Sequence, residues 1–410
     1  MIALGTPAAA AAPAQAGVVR HTDWQAAWMA APQRASAGFE PNWSEEGFSG
    51  QSVRQVVRLT AAGSSVRIRL SNDYGPSAVR LTGATVAYAG QGASVRPESV
   101  RRLTFGGALS ADLPSRGSLT SDPVRLHVRP FQSVAVTFYF AGTTGPATFH
   151  SQAYATSYRA QGDHAADAAA TAFAQATHSW YYLSGIDVNG GQDGHNDGVV
   201  AFGDSITDGF GSTRDANGRY PDELAEQLAA KGQARPVLNA GIGGNLVLND
   251  SAWYGDHSAA RFRRDVLDQP GVDTVVVLQG VNDIGFSESD TPTYKPAPVV
   301  SAAELIAGHR RLIRLAHAKG VKIVGATLLP FKGSDHWGEH AATVSHAVNQ
   351  WIRTSGEYDA IVDLDRTMAA PGQANVLNPV YDSGDHLHPN DAGYTAMARH
   401  IASELISQAN

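Results

Sequence analysis

The pattern of hydrophobic positions changes about halfway along the chain. From about residue 53 to residue 140, apolar side chains recur at every second position, as at 66–70, 124–128 and 134–140. A period of two predicts half-buried antiparallel strands. Turn-forming residues such as the Asn-Asp-Tyr-Gly-Pro stretch at 72–76 separate these runs. Many short strands without intervening helices predict an all-β sandwich of the jelly-roll type.

The second half instead alternates short apolar runs with helical patterns. The apolar runs lie at 199–202, 236–238, 274–278, 321–326 and 360–364. Between them, Pro221 takes an early helical position, and Ser301 with Glu304 has the spacing of a capping box. Strands that alternate with helices predict a parallel sheet in a three-layer α/β domain.

A polar, glycine-rich stretch at 190–198 separates the two patterns and is typical of a linker. We therefore expect a β-sandwich domain at 21–188, a linker at 189–198 and an α/β domain at 199–410. The first twenty residues are rich in alanine and proline, and their first charged side chain is Arg20. They resemble the end of a secretory signal peptide without its basic start, which predicts a secreted or periplasmic protein. A disordered Ala/Pro-rich tail is the alternative.

Composition narrows the classes of partner. The 410-residue chain has a formal net charge of −7, which argues against nucleic acid and anionic membrane surfaces. No apolar run approaches the length of a membrane span, so we expect no membrane insertion. The absence of cysteine excludes disulfides and thiol chemistry. The sequence does not indicate an oligomeric state.

Four short segments carry the candidate chemistry. They read Gly-Asp-Ser-Ile-Thr-Asp-Gly at 203–209, Gly-Ile-Gly-Gly-Asn at 241–245, Gly-Val-Asn-Asp at 280–283 and Asp-His-Leu-His-Pro at 385–389. The first three follow predicted strands, and the fourth precedes the last predicted helix. Because ligands of open α/β sheets bind at the C-terminal ends of the strands, we expect the four segments to converge there.

These segments together supply a serine-based catalytic site. Ser205 is the candidate nucleophile, His388 its general base, and Asp385 the carboxylate that orients the imidazole. The backbone N–H groups of Ser205 and Gly244 and the side-chain amide of Asn282 are the candidate oxyanion-hole donors. Taken singly, Gly244 equally suits a tight turn, and Asn282 equally suits a helix cap.

In this order, the four segments resemble the motif blocks of the SGNH (GDSL) hydrolase superfamily. The resemblance implies a flavodoxin-like SGNH domain in which Ser205 is the nucleophile, Gly244 and Asn282 bind the oxyanion, and Asp385 and His388 form the Asp-x-x-His pair. It covers roughly the second half of the chain. The first half resembles the β-rich N-terminal region of a bacterial branch. Many relatives have Asp-Gly where this chain has Asp-His at 385–386, which leaves two histidines beside the aspartate.

Those two histidines allow an alternative, because His386 and His388 beside an aspartate have the composition of a metal site. The sequence contains no His-Glu-x-x-His motif and no cysteine, so we expect neither a metal nor a cofactor. It also contains no Gly-x-Ser-x-Gly elbow of an α/β-hydrolase, no P-loop and no Gly-x-Gly-x-x-Gly unit that opens a helix.

The sequence therefore predicts a serine esterase, with an acetylated carbohydrate or another small ester as substrate. A carbohydrate acetylesterase fits a secreted protein with a β-sandwich domain, and it is one option that the resemblance implies. The alternatives are a lipolytic or aryl-ester carboxylesterase and a catalytically silent carbohydrate-binding protein. Four aromatic residues on or near the motif loops are candidate substrate contacts, although they equally suit packing: Trp253, Tyr254, Phe286 and Trp337.

Overall fold

The computed structural model describes residues 24–190 and 197–407. The predicted tail at 1–20 and most of the predicted linker, namely 191–196, lie outside the described residues, and the domain limits stay a prediction. Within the described ranges, no helix is long and apolar enough to cross a membrane.

The first region is built from antiparallel strands, with one 3₁₀ turn at Pro97–Ser99. The strands are β1 (Trp24–Met29), β2 (Gln51–Arg58), β3 (Gly63–Ser71), β4 (Val79–Leu81), β5 (Gly83–Tyr88), β6 (Arg101–Arg102), β7 (Ala111–Leu113), β8 (Ser118–Thr120), β9 (Val124–Val128), β10 (Ser133–Phe140), β11 (Phe149–His150), β12 (Ser157–Gln161), β13 (Gln175–Thr177), β14 (Trp180–Tyr181) and β15 (Leu183–Asn189). The strand predictions at 66–70, 124–128 and 134–140 are confirmed as parts of β3, β9 and β10.

Two larger sheets and two strand pairs make up this region. One sheet has the order β1-β15-β3-β8, with β9 also paired to β3, and the other has the order β13-β12-β2-β10-β5-β6. The remaining pairs are β11-β14 and β4-β7. The region is thus β-rich as predicted, while its jelly-roll identity stays a prediction.

The second region alternates strands and helices. Its elements are β16 (Gly198–Gly203), α1 (Ser205–Asp208), α2 (Tyr220–Ala230), β17 (Val237–Gly241), α3 (Ser258–Phe262), a π-helical turn (Arg263–Leu267), β18 (Val272–Leu278), α4 (Val281–Gly285), α5 (Ala302–His317), β19 (Lys322–Ala326), α6 (Glu339–Thr354), β20 (Ala360–Val362), α7 (Leu364–Met368), β21 (Ala369–Ala370), β22 (Gln373–Leu377) and α8 (Asp391–Ser407). The predicted capping box at the start of α5 is confirmed, because the Ser301 hydroxyl and the Glu304 carboxylate bind each other's backbone N–H groups.

The five predicted strands of this region form one parallel sheet. Its order is β17-β16-β18-β19-β20, and each neighbouring pair runs parallel. Three motif loops begin where β17, β16 and β18 end. Since these are adjacent parallel strands, the loops lie at one edge of the sheet. The three-layer arrangement around the sheet stays a prediction.

Strand β1 joins the two regions through its side chains. Ala27 and Trp28 are buried in the core of the first region, whereas Ala26 and Met29 are buried in the core of the second. The Ala26 N–H also donates to the Pro270 carbonyl at 2.9 Å. A strand that is buried on both faces reads as a continuous apolar run without alternation. This explains why the period-two prediction began only near residue 53.

Candidate functional site

A tight turn from β16 into α1 holds the candidate nucleophile. Ser205 is the first residue of α1, and the preceding Asp204 caps this helix by accepting from the Ile206 N–H at 3.1 Å. The turn requires glycine at 203, because a Cβ atom there would lie 2.5 Å from the Leu278 carbonyl oxygen. The serine hydroxyl is thereby held at the C-terminal edge of the sheet.

The structure brings Ser205, His388 and Asp385 into one hydrogen-bonded chain. Ser205 Oγ lies 2.8 Å from His388 Nε2, and His388 Nδ1 lies 2.6 Å from Asp385 Oδ2. An ionised carboxylate only accepts, so Nδ1 carries the proton, and Nε2 is left to accept from the serine hydroxyl. This is the tautomer that a general base requires.

The carboxylate of Asp385 is held in its ionised form. Burial raises its pKa, but hydrogen bonds from the His388 ring and from the backbone N–H groups of Leu387 and His388 outweigh burial and hold the pKa well below its usual range. The Phe210 ring packs against the imidazole of His388, with 4.2 Å between the ring centroids. The ionised carboxylate and the Phe210 ring therefore fix the orientation of the base.

Asn282 occupies the second position of α4 and is only 3% exposed. Its Nδ2 donates to the Asn245 carbonyl at 3.2 Å, and its Oδ1 lies 3.2 Å from His336 Nε2. A primary amide has two N–H donors, so one remains for an anion after the bond to Asn245. The segments at 241–245 and 280–283 thus meet, as the sequence predicts.

Gly244 adopts the left-handed backbone conformation, with a φ of +73°. A Cβ atom at this position would lie 2.2 Å from Cδ1 of Tyr254. Positive φ and the close approach of an aromatic ring both require glycine. The substitution of any other residue would move the backbone N–H that we consider as an oxyanion donor.

Two carboxylates of the motif segments themselves, those of Asp204 and Asp283, are buried. Burial raises the pKa of Asp204 and of Asp283 to about 7. Asp283 accepts from the backbone N–H groups of Val247 and Leu248 at 2.8 and 3.0 Å, which ties α4 to the segment after Gly244. Raised pKa values reduce the negative charge within the segments where an oxyanion is expected to form.

Arg261 was not predicted from the sequence as a site residue, and its side chain is fully buried. Its guanidinium donates to the carbonyls of Gly203 and Ala240, both at 2.8 Å, and to Asn245 Oδ1 at 2.9 Å. It also forms an ion pair with Asp265 at 3.1 Å. Arginine is normally exposed, so no sequence signal distinguishes this one from a surface residue.

The first region reaches the motif loops through His150. Its Nε2 lies 2.9 Å from Asp208 Oδ1, while Asp208 Oδ2 accepts from the Gly243 N–H at 2.9 Å. Burial lowers the pKa of His150, but the neighbouring Asp208 outweighs it, and the net direction is upward. The position of Gly243 therefore depends on a side chain from the β-rich region. This contact could not be predicted from the sequence, because the first half carries no catalytic motif.

Phe39 is a second residue of the β-rich region that lies beside the motif loops. This residue is 42% exposed, which is unusual for a large apolar residue. It lies 5.9 Å from the Tyr254 ring, and its Cε2 would lie 3.0 Å from a Cβ atom at Gly243. An accessible aromatic face thus stands beside the residue that precedes Gly244.

The four predicted aromatic contacts differ in exposure. Tyr254 and Phe286 are each 5% exposed and pack against one another, with 5.1 Å between their ring centroids. Trp253 and Trp337 are only partly buried, and Trp337 packs edge-on against Phe331. The two buried rings have little free face for stacking on a sugar. A role of any of the four in substrate binding stays a prediction.

The two histidines of the fourth motif face different partners. His386 is exposed and pairs through Nδ1 with Asp382 at 2.6 Å, whereas His388 faces Ser205. The segment is bent, with a φ of +61° at His386, so backbone curvature separates the two rings rather than the alternation of an extended strand. Across residues 24–190 and 197–407, no group of three or more His, Cys, Asp or Glu side chains could hold a metal ion.

Comparisons with known proteins address the motif-bearing half of the chain. The model of the GDSL-like Lipase/Acylhydrolase family matches residues 201–396, which include all four motifs. None of the curated proteins matches the chain.

Solved structures that are similar cover about half of this chain. One is a lipase/acylhydrolase from Enterococcus faecalis, at 20% identity over 52% of this chain and 96% of that one, with a TM-score of 0.41. Another is a catalytic mutant of an acetylxylan esterase from Geobacillus stearothermophilus, at 25% identity over 52% and 94%, with a TM-score of 0.39. A third is the acetyl xylan esterase AlAXEase, at 24% identity over 52% and 100%, with a TM-score of 0.38. On the family match, residues 201–396 form a GDSL-like lipase/acylhydrolase domain, which follows a β-rich region.

Proposed function

We propose that this protein is a serine esterase that hydrolyses carboxylic esters through an acyl-enzyme intermediate. The observation that carries the proposal is the hydrogen-bonded chain from Ser205 through His388 to Asp385, with Asn282 and Gly244 on the neighbouring loops. A serine hydroxyl is a weak nucleophile at neutral pH and needs such a base within hydrogen-bonding distance.

In the acylation step, Ser205 Oγ attacks the ester carbonyl carbon while His388 Nε2 accepts the hydroxyl proton. The tetrahedral intermediate collapses as the bond to the alcohol oxygen breaks, and His388 returns the proton to the leaving alcohol. Asp385 stabilises the imidazolium that forms between these events. Water then attacks the acyl-serine with the same base, which releases the acid and restores Ser205.

The negative charge on the carbonyl oxygen is stabilised by three donors in this mechanism. They are the backbone N–H groups of Ser205 and Gly244 and the second N–H of the Asn282 amide. Removal of one donor from such a hole typically costs about 3–4 kcal/mol of transition-state stabilisation. No metal ion has a role in this proposal.

For the substrate, we propose an acetyl ester of a carbohydrate. The ring of Tyr254 packs directly on Gly244, and Phe286 packs on Tyr254, so aromatic side chains stand close to the proposed oxyanion donors. This favours a short acyl group. The exposed ring of Phe39 beside Gly243 offers an apolar face of the kind on which sugar rings stack.

We expect turnover of p-nitrophenyl acetate that resists EDTA and is abolished by a serine-directed organophosphonate. Acetate release should then be compared on acetylated xylan, pectin, xyloglucan and short-chain lipid esters, and we expect the highest kcat/KM on an acetylated carbohydrate. Higher kcat/KM on lipid or simple aryl esters would instead favour the alternative carboxylesterase. Glycan binding without turnover of any ester would identify a silent binding protein and overturn the esterase proposal.

Phe39→Ala is expected to raise KM for the acetylated carbohydrate by about 3- to 10-fold, since an aromatic contact contributes roughly 0.5–1.5 kcal/mol. The value of kcat should change less than about twofold, because Phe39 is not proposed to bind the reacting atoms. Leu109→Ala is a matched control, since Leu109 is also an apolar residue of the β-rich region and is 50% exposed. Equal effects of the two substitutions on KM would contradict the proposed contact between Phe39 and the sugar.

A further inference from the structure

We propose that His336 is a positioning residue that fixes the side-chain amide of Asn282 with its N–H donors toward the oxyanion. The proposal rests on the role of Asn282 in the proposed function. His336 lies between β19 and α6, outside the four motifs, and reaches Asn282 from a separate part of the chain.

The orientation of the amide follows from its two neighbours. The backbone carbonyl of Asn245 can only accept, so the Asn282 atom 3.2 Å from it must be Nδ2. Oδ1 therefore faces His336 Nε2 at 3.2 Å. An amide oxygen is also only an acceptor, so Nε2 must carry the proton in this contact. The bond from His336 thus opposes rotation of the amide by half a turn.

The imidazole of His336 is itself held rigidly. Its ring lies against the backbone of Gly285, where an added Cβ atom would be 2.1 Å from Cδ2 of the histidine. The Phe286 ring packs against it edge-on, with 5.4 Å between the centroids. Both neighbours lie at the end of α4 or directly after it, so ring and amide form one rigid unit.

The surroundings also keep this histidine neutral at ordinary pH. Burial lowers the pKa of His336 to about 4, and the nearby His388 contributes in the same direction. A neutral ring with its proton on Nε2 matches the tautomer that Asn282 requires. It also avoids a second positive charge beside His388, which becomes an imidazolium during the proposed reaction.

The consequence for catalysis is geometric. One N–H of Asn282 is bound to Asn245, and the other is available to the oxyanion only while Oδ1 stays on the His336 side. If the amide rotated, its oxygen would repel the developing negative charge. Preorganised donors stabilise the developing charge effectively because they need no reorganisation at the moment of reaction.

His336→Phe is expected to lower kcat on p-nitrophenyl acetate by roughly 10- to 100-fold while KM changes less than about twofold, since the lost alignment matters mainly in the transition state. His336→Gln retains an N–H donor at the end of a side chain of similar reach, and it should recover most of that loss. Asn282→Ala alone should lower kcat by about 100-fold or more. In the Asn282→Ala background, His336→Phe should have almost no further effect.

This dependence on Asn282 separates positioning from a general structural role. Equal losses from His336→Phe with and without Asn282, or a loss that Gln does not repair, would overturn the proposal. Unfolding temperatures of all variants report any loss of stability. If the Phe variant does not fold, the wild type still gives a test by ¹⁵N NMR, with the His336 ring signals assigned by comparison with His336→Gln. A proton on Nδ1, or a charged ring at pH 7, would contradict the proposed contact.

A failure of the esterase proposal gives a different pattern. If Ser205→Ala retained full turnover, or if the wild type had none, the proposed function would fail irrespective of His336. If Ser205→Ala abolished turnover while His336→Phe had no effect on kcat, only the positioning role would fail.

Discussion

Ser205→Ala and His388→Ala are each expected to lower kcat for ester hydrolysis by about 10⁴-fold or more. The first substitution removes the attacking oxygen, and the second removes the group that accepts its proton at 2.8 Å. Neither side chain belongs to the hydrophobic core, so both variants should fold, with a change in the free energy of unfolding of about 1 kcal/mol or less for Ser205→Ala.

The double variant provides the sharper measurement. Because the two residues act on one proton transfer, their combined substitution should cost little more than either alone. Single-turnover kinetics on p-nitrophenyl acetate, with circular dichroism spectra as the folding control, would measure this. Strictly multiplicative losses would indicate two independent contributions and would contradict a shared mechanism.

Sequence periodicity was sufficient to locate the five parallel strands of the second region and the strands β3, β9 and β10 of the first. The parallel strands β16 to β20 lie in apolar runs between helices, and the capping box marks the start of α5 by local chemistry alone. Both signals depend on neighbours in the chain, which a sequence displays directly. Strand β1 was missed because the two cores bury both its faces, and this leaves no alternation to detect.

The candidate site likewise combines contacts that are local in sequence with contacts that depend on tertiary packing. Asp385 and His388 are three residues apart, so their contact is local and could be predicted from spacing. The rule that parallel strands place their loops at one sheet edge predicts that Ser205, Gly244 and Asn282 lie close together. The approach of His388 to Ser205 was expected instead from the need of a serine nucleophile for a general base. The contacts made by His336, Arg261 and His150 depend on tertiary packing, and their sequence surroundings resemble those of ordinary helix, loop and strand residues.

The β-rich region and the second region also contact each other directly. The sequence predicts two domains joined by a linker, and the structure shows β1, Phe39 and His150 of the first region in contact with the second region. His150 acts on Gly243 through Asp208, directly beside a proposed oxyanion donor. The β-rich region therefore contacts the motif loops directly.

Asp385→Asn is expected to lower kcat by about 10⁴-fold, the loss typical of the equivalent change in a serine triad. The asparagine amide would donate to His388 Nδ1 and leave the ring proton on Nε2, where it faces Ser205. The ring could then no longer accept the serine proton. The asparagine Oδ1 would still accept from the backbone N–H groups of Leu387 and His388, so the loop should keep its shape.

Asp382→Asn is the matched control on the same loop. Asp382 binds the His386 ring at 2.6 Å, as Asp385 binds His388, but this second pair does not extend to Ser205. We expect kcat of Asp382→Asn to stay within about fivefold of the wild type, and EDTA to leave the wild-type enzyme fully active. A metal site would behave differently, because loss of any ligand or chelation of the ion would remove activity. Equally severe losses of kcat in both Asn variants, together with inhibition by EDTA, would therefore contradict the serine triad and indicate a metal centre.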